Sequence, residues 1–482
     1  MTETRDVHVR QSDAFAWSME RDPLLRSTIT GVVVFAEAPR WDVFVERIDR
    51  ATRLSPSFRQ RLIESPLKLA PPRFEFDPDF DLLWHIRRVG APPPGTLEAV
   101  FDFARTTGMG AFDPARPLWE FTLVEGIEGG RAALVLKVHH SLTDGIGGIQ
   151  LAQHIVDFEP DPGDLGPMPT IPAVGRDGWG PPPNGSLGRL LDAIGWDLAH
   201  VASAGIGLVT ALPGDALRAL RDPVGAVGDV IERTSSILRF VAPVTDTRSP
   251  LMVDRRRLWH FDALEVSLPD LKKAGKQAGG SLNDAFLAGV TGGLRRYHEA
   301  FGVGIHDLRL TMPISLRAEG DPEGGNRVTI VRFDVPAGIV DAEERIQEIG
   351  RICATQRGEP ALAYSDAIAG VLNLLPNPVI GGMLKHVDFL ASNVPGLTTP
   401  VWLGGALMEG FYVFGPTLGS SANVTLMSYR GQCCIGVNVD TGAVQDPAMF
   451  LACLVEGFEE VLAVGGEHDP VRLVVPDRTT TG

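Results

Sequence analysis

Hydrophobic and polar positions along the chain follow two periods, and the stretches where the period changes mark its elements. Within residues 41–54, Phe44, Val45 and Ile48 are apolar while Arg47, Asp49 and Arg50 are polar. That is the spacing of a helix with one face on a core. A second helix is predicted over 95–106, with short apolar runs at Gly31–Phe35 and Leu118–Val124 reading as strands. The run Ala132–Val138 is another strand, and the glycine-rich Ile146-Gly147-Gly148-Ile149 after it opens a helix. Further along, 258–266, 328–335, 426–429 and 434–438 read as strands, of which 328–335 alternates most cleanly. Residues 268–278, 281–301 and 447–462 read as helices.

Between the two series the pattern breaks. Pro, Gly and Asp dominate residues 159–187, which is linker chemistry. Apolar helical segments follow over 186–242, interrupted at Pro213-Gly214 and Pro223. Asp197 and Asp215 bracket 17 residues whose one ionisable group is His200, at the short edge of a membrane span and containing Pro213. A transmembrane helix is therefore rejected in favour of helices packed on the protein, with an interfacial lipid contact as the minority reading. The expected fold is α/β: an N-terminal unit over 1–165, a linker and crossover over 166–250, and a C-terminal unit over 251–482.

Composition narrows the function. A formal net charge of −16 lacks the basic footprint that nucleic acid requires and disfavours strong electrostatic attachment to an anionic membrane. Cys353, Cys433, Cys434 and Cys453 form no CxxC pair, and neighbours such as Cys433 and Cys434 point to opposite faces of a strand. No apolar secretory segment follows Met1. A reducing, cytoplasmic compartment is expected.

The candidate chemistry lies at the end of the 132–138 strand, in His139-His140-Ser141-Leu142-Thr143-Asp144-Gly145. Strand alternation puts His140 on the face of Leu134, Leu136 and Val138, and His139 on the face of Val135 and Lys137. Only one of the two rings can serve a given channel. Imidazole titrates near neutral pH and suits a general base. Asp144, at a helix start, is expected to hold the turn rather than move a proton, and Gly145 to keep backbone bulk from a passing ligand. Rings pointing apart bind one ion poorly, so no metal is expected. The chain holds no GxSxG elbow, and no GK[ST] follows Gly147-Gly148.

The chain resembles the bacterial wax ester synthase/acyl-CoA:diacylglycerol acyltransferases, within the chloramphenicol acetyltransferase-like superfamily. Beside HHxxxDG, the resemblance rests on His85-Ile86-Arg87-Arg88, on Arg116-Pro117-Leu118-Trp119-Glu120, on Asn283-Asp284, on Pro313-Ile314-Ser315-Leu316-Arg317 with Gly325-Asn326, and on Asn393-Val394-Pro395-Gly396, in that order. Val9–Ala16 departs from the family's usual opening, and Asn283-Asp284-Ala285-Phe286 from its usual continuation of the ND motif.

The resemblance implies two chloramphenicol acetyltransferase-like α/β domains joined by a long crossover, with an active-site channel between them. It implies fatty acyl transfer from acyl-CoA, a co-substrate, to a long-chain alcohol or diacylglycerol, with no other cofactor and no acyl-enzyme. His140 would be the base and Asp144 structural, with Arg317 as a candidate partner. Asn283, Asp284, Ser392 and Asn393 would serve substrate binding. Peripheral contact with membrane or lipid droplets is a further expectation. The residues themselves leave alternatives open: Ser281 or Asn283 as a helix cap, Trp119 as core, and 393–396 as a turn. Transfer to another hydroxyl or amine acceptor, or a non-catalytic acyl-CoA- or lipid-binding protein, would use the same motif. Oligomeric state is not encoded.

Overall fold

The structure is a computed structural model that describes residues 8–65, 70–142, 145–161, 163, 165–171, 244, 246–315, 328–358, 382 and 384–475. The N-terminal half runs α1 (Gln11–Met19), β1 (Thr28–Phe35), α2 (Trp41–Leu54), β2 (Gln60–Ile63), β3 (Arg73–Phe76), α3 (Leu82–His85), β4 (Ile86–Gly90), α4 (Leu97–Met109), β5 (Trp119–Glu125), β6 (Ala132–His139) and α5 (Gly145–Ile155). The second half begins with β7 (Trp259–Ser267), α6 (Leu268–Gln277), α7 (Leu282–Ala300), β8 (Asp307–Ser315), β9 (Val328–Pro336) and α8 (Ala342–Arg357). It continues through β10 (Phe389–Val394), β11 (Trp402–Leu403), β12 (Ala406–Phe414), β13 (Ala422–Tyr429), β14 (Gln432–Asp440), α9 (Pro447–Val464) and β15 (Arg472–Leu473). The apolar crossover expected over 186–242 lies outside the described residues.

Two large mixed sheets carry these elements, in the orders β11-β12-β1-β6-β5-β4 and β15-β7-β14-β13-β10-β8-β9. The first contains a connection that local patterning did not announce. β12 follows β10 in sequence, yet it leaves the second sheet and pairs antiparallel with β1, from Thr30↔Phe414 to Phe35↔Met408. The partner of β12 is therefore more than 350 residues away in sequence, and no local period encodes such a pairing.

The hairpin is tied down at its far side as well. Asp157 and Trp402 exchange both backbone hydrogen bonds, at 2.7 and 2.8 Å. The buried Asp157 carboxylate also meets the buried Arg47 of α2. Burial pushes the Asp157 carboxyl upward and Arg47 opposes that shift. Removing either partner would leave a buried charge without compensation, a loss that costs about 3–5 kcal/mol.

On the second sheet, helices cover one face. Ala422, Val424 and Leu426 of β13 and Leu308 and Leu310 of β8 enter that core, with Phe286, Leu287 and Val290 of α7. α7 and α9 approach closely because glycines of each helix stand at the crossing, Gly289 and Gly293 on α7 and Gly457 on α9. A Cβ on Gly289 would lie 2.4 Å from the Phe458 ring, and one on Gly457 2.3 Å from the Gly293 nitrogen. The opposite face of this sheet, and alternate residues of the first sheet, are left to enclose a space between them.

Candidate active site

β6 is a central strand, paired with β1 on one side and β5 on the other. Its ladder ends at Thr28↔His139, but the backbone continues one bond further: the His140 N–H donates to the Ser27 carbonyl at 2.9 Å. The chain then turns, with the Leu142 N–H donating to the His139 carbonyl at 3.0 Å. His140 therefore sits on backbone fixed by two sheet neighbours before the turn begins.

Alternation along β6 separates the two rings. His140 shares with Leu134, Leu136 and Val138 the wall of a cavity of about 450 Å³. That volume lies within the range of small-molecule sites. Facing residues come from β1 (Ile29, Gly31, Val33), from α5 (Ile149, Ala152), from β12 (Phe411, Val413) and from the second sheet. The even-numbered side of β1 faces α4 instead: a Cβ on Gly108 would lie 2.3 Å from Thr30 Oγ1. The walls are mostly aliphatic, and among the described residues on them His140 is the one imidazole, with no carboxylate, lysine, arginine or cysteine beside it.

His139 is fully buried on the other face. Its Nδ1 lies 2.7 Å from Ser141 Oγ and accepts the Ser141 N–H at 3.1 Å. Because Nδ1 accepts, the proton of the neutral ring sits on Nε2. That nitrogen faces Glu20 Oε2 at 3.4 Å. Trp17 and Phe112 meet the ring edge-on, at centroid distances of 5.6 and 6.0 Å. Lys137, two residues back, is buried on this face too. Its Nζ contacts Glu120 and the Ala111 carbonyl, both at 3.3 Å, and stands 4.3 Å from the Phe112 ring centre. Burial lowers the Lys137 pKa and Glu120 opposes the shift. This polar network was not foreseen, although a lysine within an apolar strand is a signal for a buried partner.

The remaining predicted residues divide. Ser392 and Asn393 lie on β10 and line the cavity, Ser392 in register with Thr425 of β13. The following Gly396 donates its N–H to Ser428 Oγ at 2.9 Å, and a Cβ there would lie 2.0 Å from the Ser428 carbonyl oxygen, so this turn requires glycine. Gly145 is the first residue of α5, whose Gly148 reaches the cavity wall.

Asn283 and Asp284, expected to serve substrate binding, lie at the start of α7. Ser281 caps α7: its Oγ accepts the Asp284 N–H at 3.3 Å, and Asp284 Oδ2 accepts the Ser281 N–H at 2.8 Å. This reciprocal box occupies Asp284 with the helix start, against Gly280 and Gly350 of α8. Neither Asn283 nor Asp284 lines the cavity.

Asp144, and Arg317 as its candidate partner, lie outside the described residues. Trp119 is core, fully buried, donating Nε1–H to the Phe58 carbonyl at 2.8 Å and stacking on His85 at 4.5 Å.

All four cysteines are buried and free. Burial pushes the thiols of Cys353 and Cys453 up to about 11, and those of Cys433 and Cys434 up to about 12. As nucleophiles they would be almost wholly protonated at neutral pH. Cys433 enters the second core and Cys434 the first, on opposite faces of β14. Among the described residues no cluster of three His, Cys, Asp or Glu is arranged to hold a metal ion.

The chain matches the family model described as the wax ester synthase/diacylglycerol acyltransferase catalytic domain over residues 10–286, and that of the WS/DGAT C-terminal domain over 324–461. A Mycobacterium tuberculosis protein provisionally named a diacylglycerol O-acyltransferase is 38% identical over 462 residues, which cover 94% of this chain and 91% of that one. In fold, the chain is similar to the wax ester synthase/diacylglycerol acyltransferase of Marinobacter aquaeolei, with a TM-score of 0.60, 21% identity, and coverage of 95% and 100% of the two chains. It is also similar to the starter condensation domain of rhizomide synthetase, with a TM-score of 0.59, 12% identity, and coverage of 96% and 95%. These two structures place the two halves in the chloramphenicol acetyltransferase-like architecture. The two family matches, in chain order and spanning most of the sequence, show that the chain belongs to the wax ester synthase/diacylglycerol acyltransferase family.

Proposed function

We propose that this acyl-CoA-dependent O-acyltransferase moves a fatty acyl group to the hydroxyl of a long-chain alcohol or diacylglycerol, with His140 as general base. The observation that carries the reading is the position of His140 as an ionisable group in an aliphatic cavity between the two sheets. An apolar enclosure of this kind stabilises methylene chains by about 0.8 kcal/mol per buried CH₂.

In the proposed step, one His140 nitrogen accepts the acceptor's hydroxyl proton as its oxygen attacks the thioester carbonyl carbon. The C–O bond forms and the C–S bond breaks. The departing CoA thiolate recovers a proton from the imidazolium, and the enzyme returns unchanged. Direct transfer is supported by the state of the cysteines, each buried with a raised thiol pKa. No metal enters the step. In this reading Asp144 is a supporting residue rather than a proton carrier, and Gly145 serves through its lack of a side chain. Ser392 and Asn393 contribute polar contacts to the bound substrate.

An acceptor this apolar resides in membranes or lipid bodies, so the enzyme works from the cytoplasm in peripheral contact with such surfaces. Among the described residues no helix is long and apolar enough to cross a membrane. The reading is tested by incubating purified protein with labelled palmitoyl-CoA and either hexadecanol or diolein. Labelled ester with release of free CoA is expected; acyl-CoA binding without ester from either acceptor would contradict it.

A further inference from the structure

The cavity wall contributed by the second sheet carries several polar side chains, and most are already satisfied within the protein. Asn423 Nδ2 donates to the Pro416 carbonyl at 2.8 Å, and its Oδ1 accepts the Thr425 hydroxyl at 2.9 Å. Ser428 Oγ accepts the Gly396 N–H at 2.9 Å. The Tyr429 hydroxyl donates to the Met408 carbonyl at 2.9 Å. Thr311 differs. It lies on β8 in register with Leu390 of β10, lines the cavity, and is 5% exposed. Its Oγ1 is buried and has no hydrogen-bond partner.

A buried hydroxyl without a partner carries the full cost of its desolvation. Strand geometry does not require one, because valine fits β-structure as well as threonine does. Packing does not require one either: the neighbouring wall positions Leu390, Pro313 and Ile330 are apolar, and Arg332, paired with Thr311 on β9, makes no hydrogen bond to its hydroxyl. What an unmet hydroxyl in an aliphatic cavity can do is bind an oxygen that a ligand brings with it.

This inference rests on the reading of the cavity as the site of lipid ester synthesis. A plain long-chain alcohol has one oxygen, and His140 engages it. Diacylglycerol brings two further ester groups, whose carbonyl oxygens lose their water on entering an apolar wall. The structure assigns Thr311 as a specificity-determining residue whose hydroxyl donates to an ester carbonyl of the acceptor, favouring diacylglycerol over a plain alcohol. A site built to hydrogen-bond a substrate group discriminates against the analogue that lacks it.

The test compares wild type, Thr311→Val and Thr311→Ser, each assayed with palmitoyl-CoA and either diolein or hexadecanol. The quantity read is the ratio of kcat/KM for diolein to that for hexadecanol. Thr311→Val is expected to lower this ratio about five- to tenfold, and Thr311→Ser to restore it. The melting temperature of ligand-free Thr311→Val should be unchanged or raised, because the lost hydroxyl had no partner. An unchanged ratio in Thr311→Val overturns the proposal. So does an equal fall with both acceptors, which would place the hydroxyl on the shared acyl donor, or a drop of several degrees in melting temperature. Thr311→Ala repeats the ratio test with a second side chain that lacks the hydroxyl. Wild-type protein that esterifies neither acceptor overturns the functional reading itself, and the Thr311 assignment with it.

Discussion

Glu20 stands 3.4 Å from Nε2 of His139, on the face of β6 that points away from the cavity. The same carboxylate accepts the Ser27 N–H at 3.3 Å, and the Ser27 carbonyl accepts the His140 N–H at 2.9 Å. The ring of one histidine is thus connected to the backbone of the next through two residues. His139 is packed in place, and His140 is left to face the cavity.

This division predicts different failures. Replacing His139 by Ala removes a fully buried ring held by Ser141, Trp17, Phe112 and Glu20, and leaves a cavity. A loss of about 2–4 kcal/mol of stability is expected, read as a shift in denaturation midpoint. Glu20→Gln keeps the shape and should cost less. A His139→Ala protein as stable as wild type would remove His139 from its structural role.

Gly31 keeps the cavity wall open between Phe411 of β12 and Leu136 of β6. A Cβ there would lie 3.0 Å from the Phe411 ring and 3.4 Å from Leu136. Gly31→Leu should push a side chain into the cavity and shift the acyl-CoA preference toward shorter chains. Competition among acyl-CoAs of 8 to 18 carbons, by mass spectrometry of the ester products, checks it. An unchanged profile would place the acyl chain elsewhere.

Trp119 belongs to the core rather than to the chemistry. Trp119→Ala is expected to cost about 3–5 kcal/mol. Trp119→Phe loses the bond to the Phe58 carbonyl, at a smaller cost of about 1–3 kcal/mol for the acceptor left unpaired. Activity per folded molecule in Trp119→Phe should stay within about twofold of wild type. A large fall in kcat without a loss of stability would give Trp119 a role at the site.

Buried histidines give the stability a pH dependence. Burial lowers the pKa of His298, which sits between the Ser249 hydroxyl at 2.7 Å and the Leu294 carbonyl at 2.7 Å. With the folded value below the unfolded value near 6.5, the unfolded chain binds the extra proton. The contribution of His298 is therefore complete above about pH 6.5 and declines as pH falls below it. Urea midpoints at pH 7.5 and 5.5 should differ more in wild type than in His298→Gln. Asp388, whose pKa burial raises, works in the opposite direction in both proteins and so does not obscure the comparison.

Much of this architecture was legible in the sequence because it rests on local periods. The helix over 41–54 matches α2 at both ends, and the 281–301 helix is α7 with Ser281 as its cap. The separation of the two histidines followed from strand alternation alone. What stayed hidden depends on distant partners. The pairing of β12 with β1 joins residues about 380 apart, and Glu20 reaches His139 across more than a hundred residues. Asn283-Asp284 was legible as a helix start, and the capping box of Ser281 and Asp284 bears that out. Thr311 carried no signal, because an unmet hydroxyl is visible only once its neighbours are known.

The role of His140 as the base is tested most directly by the rate of ester formation by His140→Ala under saturating palmitoyl-CoA and acceptor, on protein shown to be folded. Loss of general-base catalysis should lower kcat by about 10²–10⁴-fold while the melting temperature stays near that of wild type. Ester formation at the wild-type rate by folded His140→Ala would contradict a general-base role for His140.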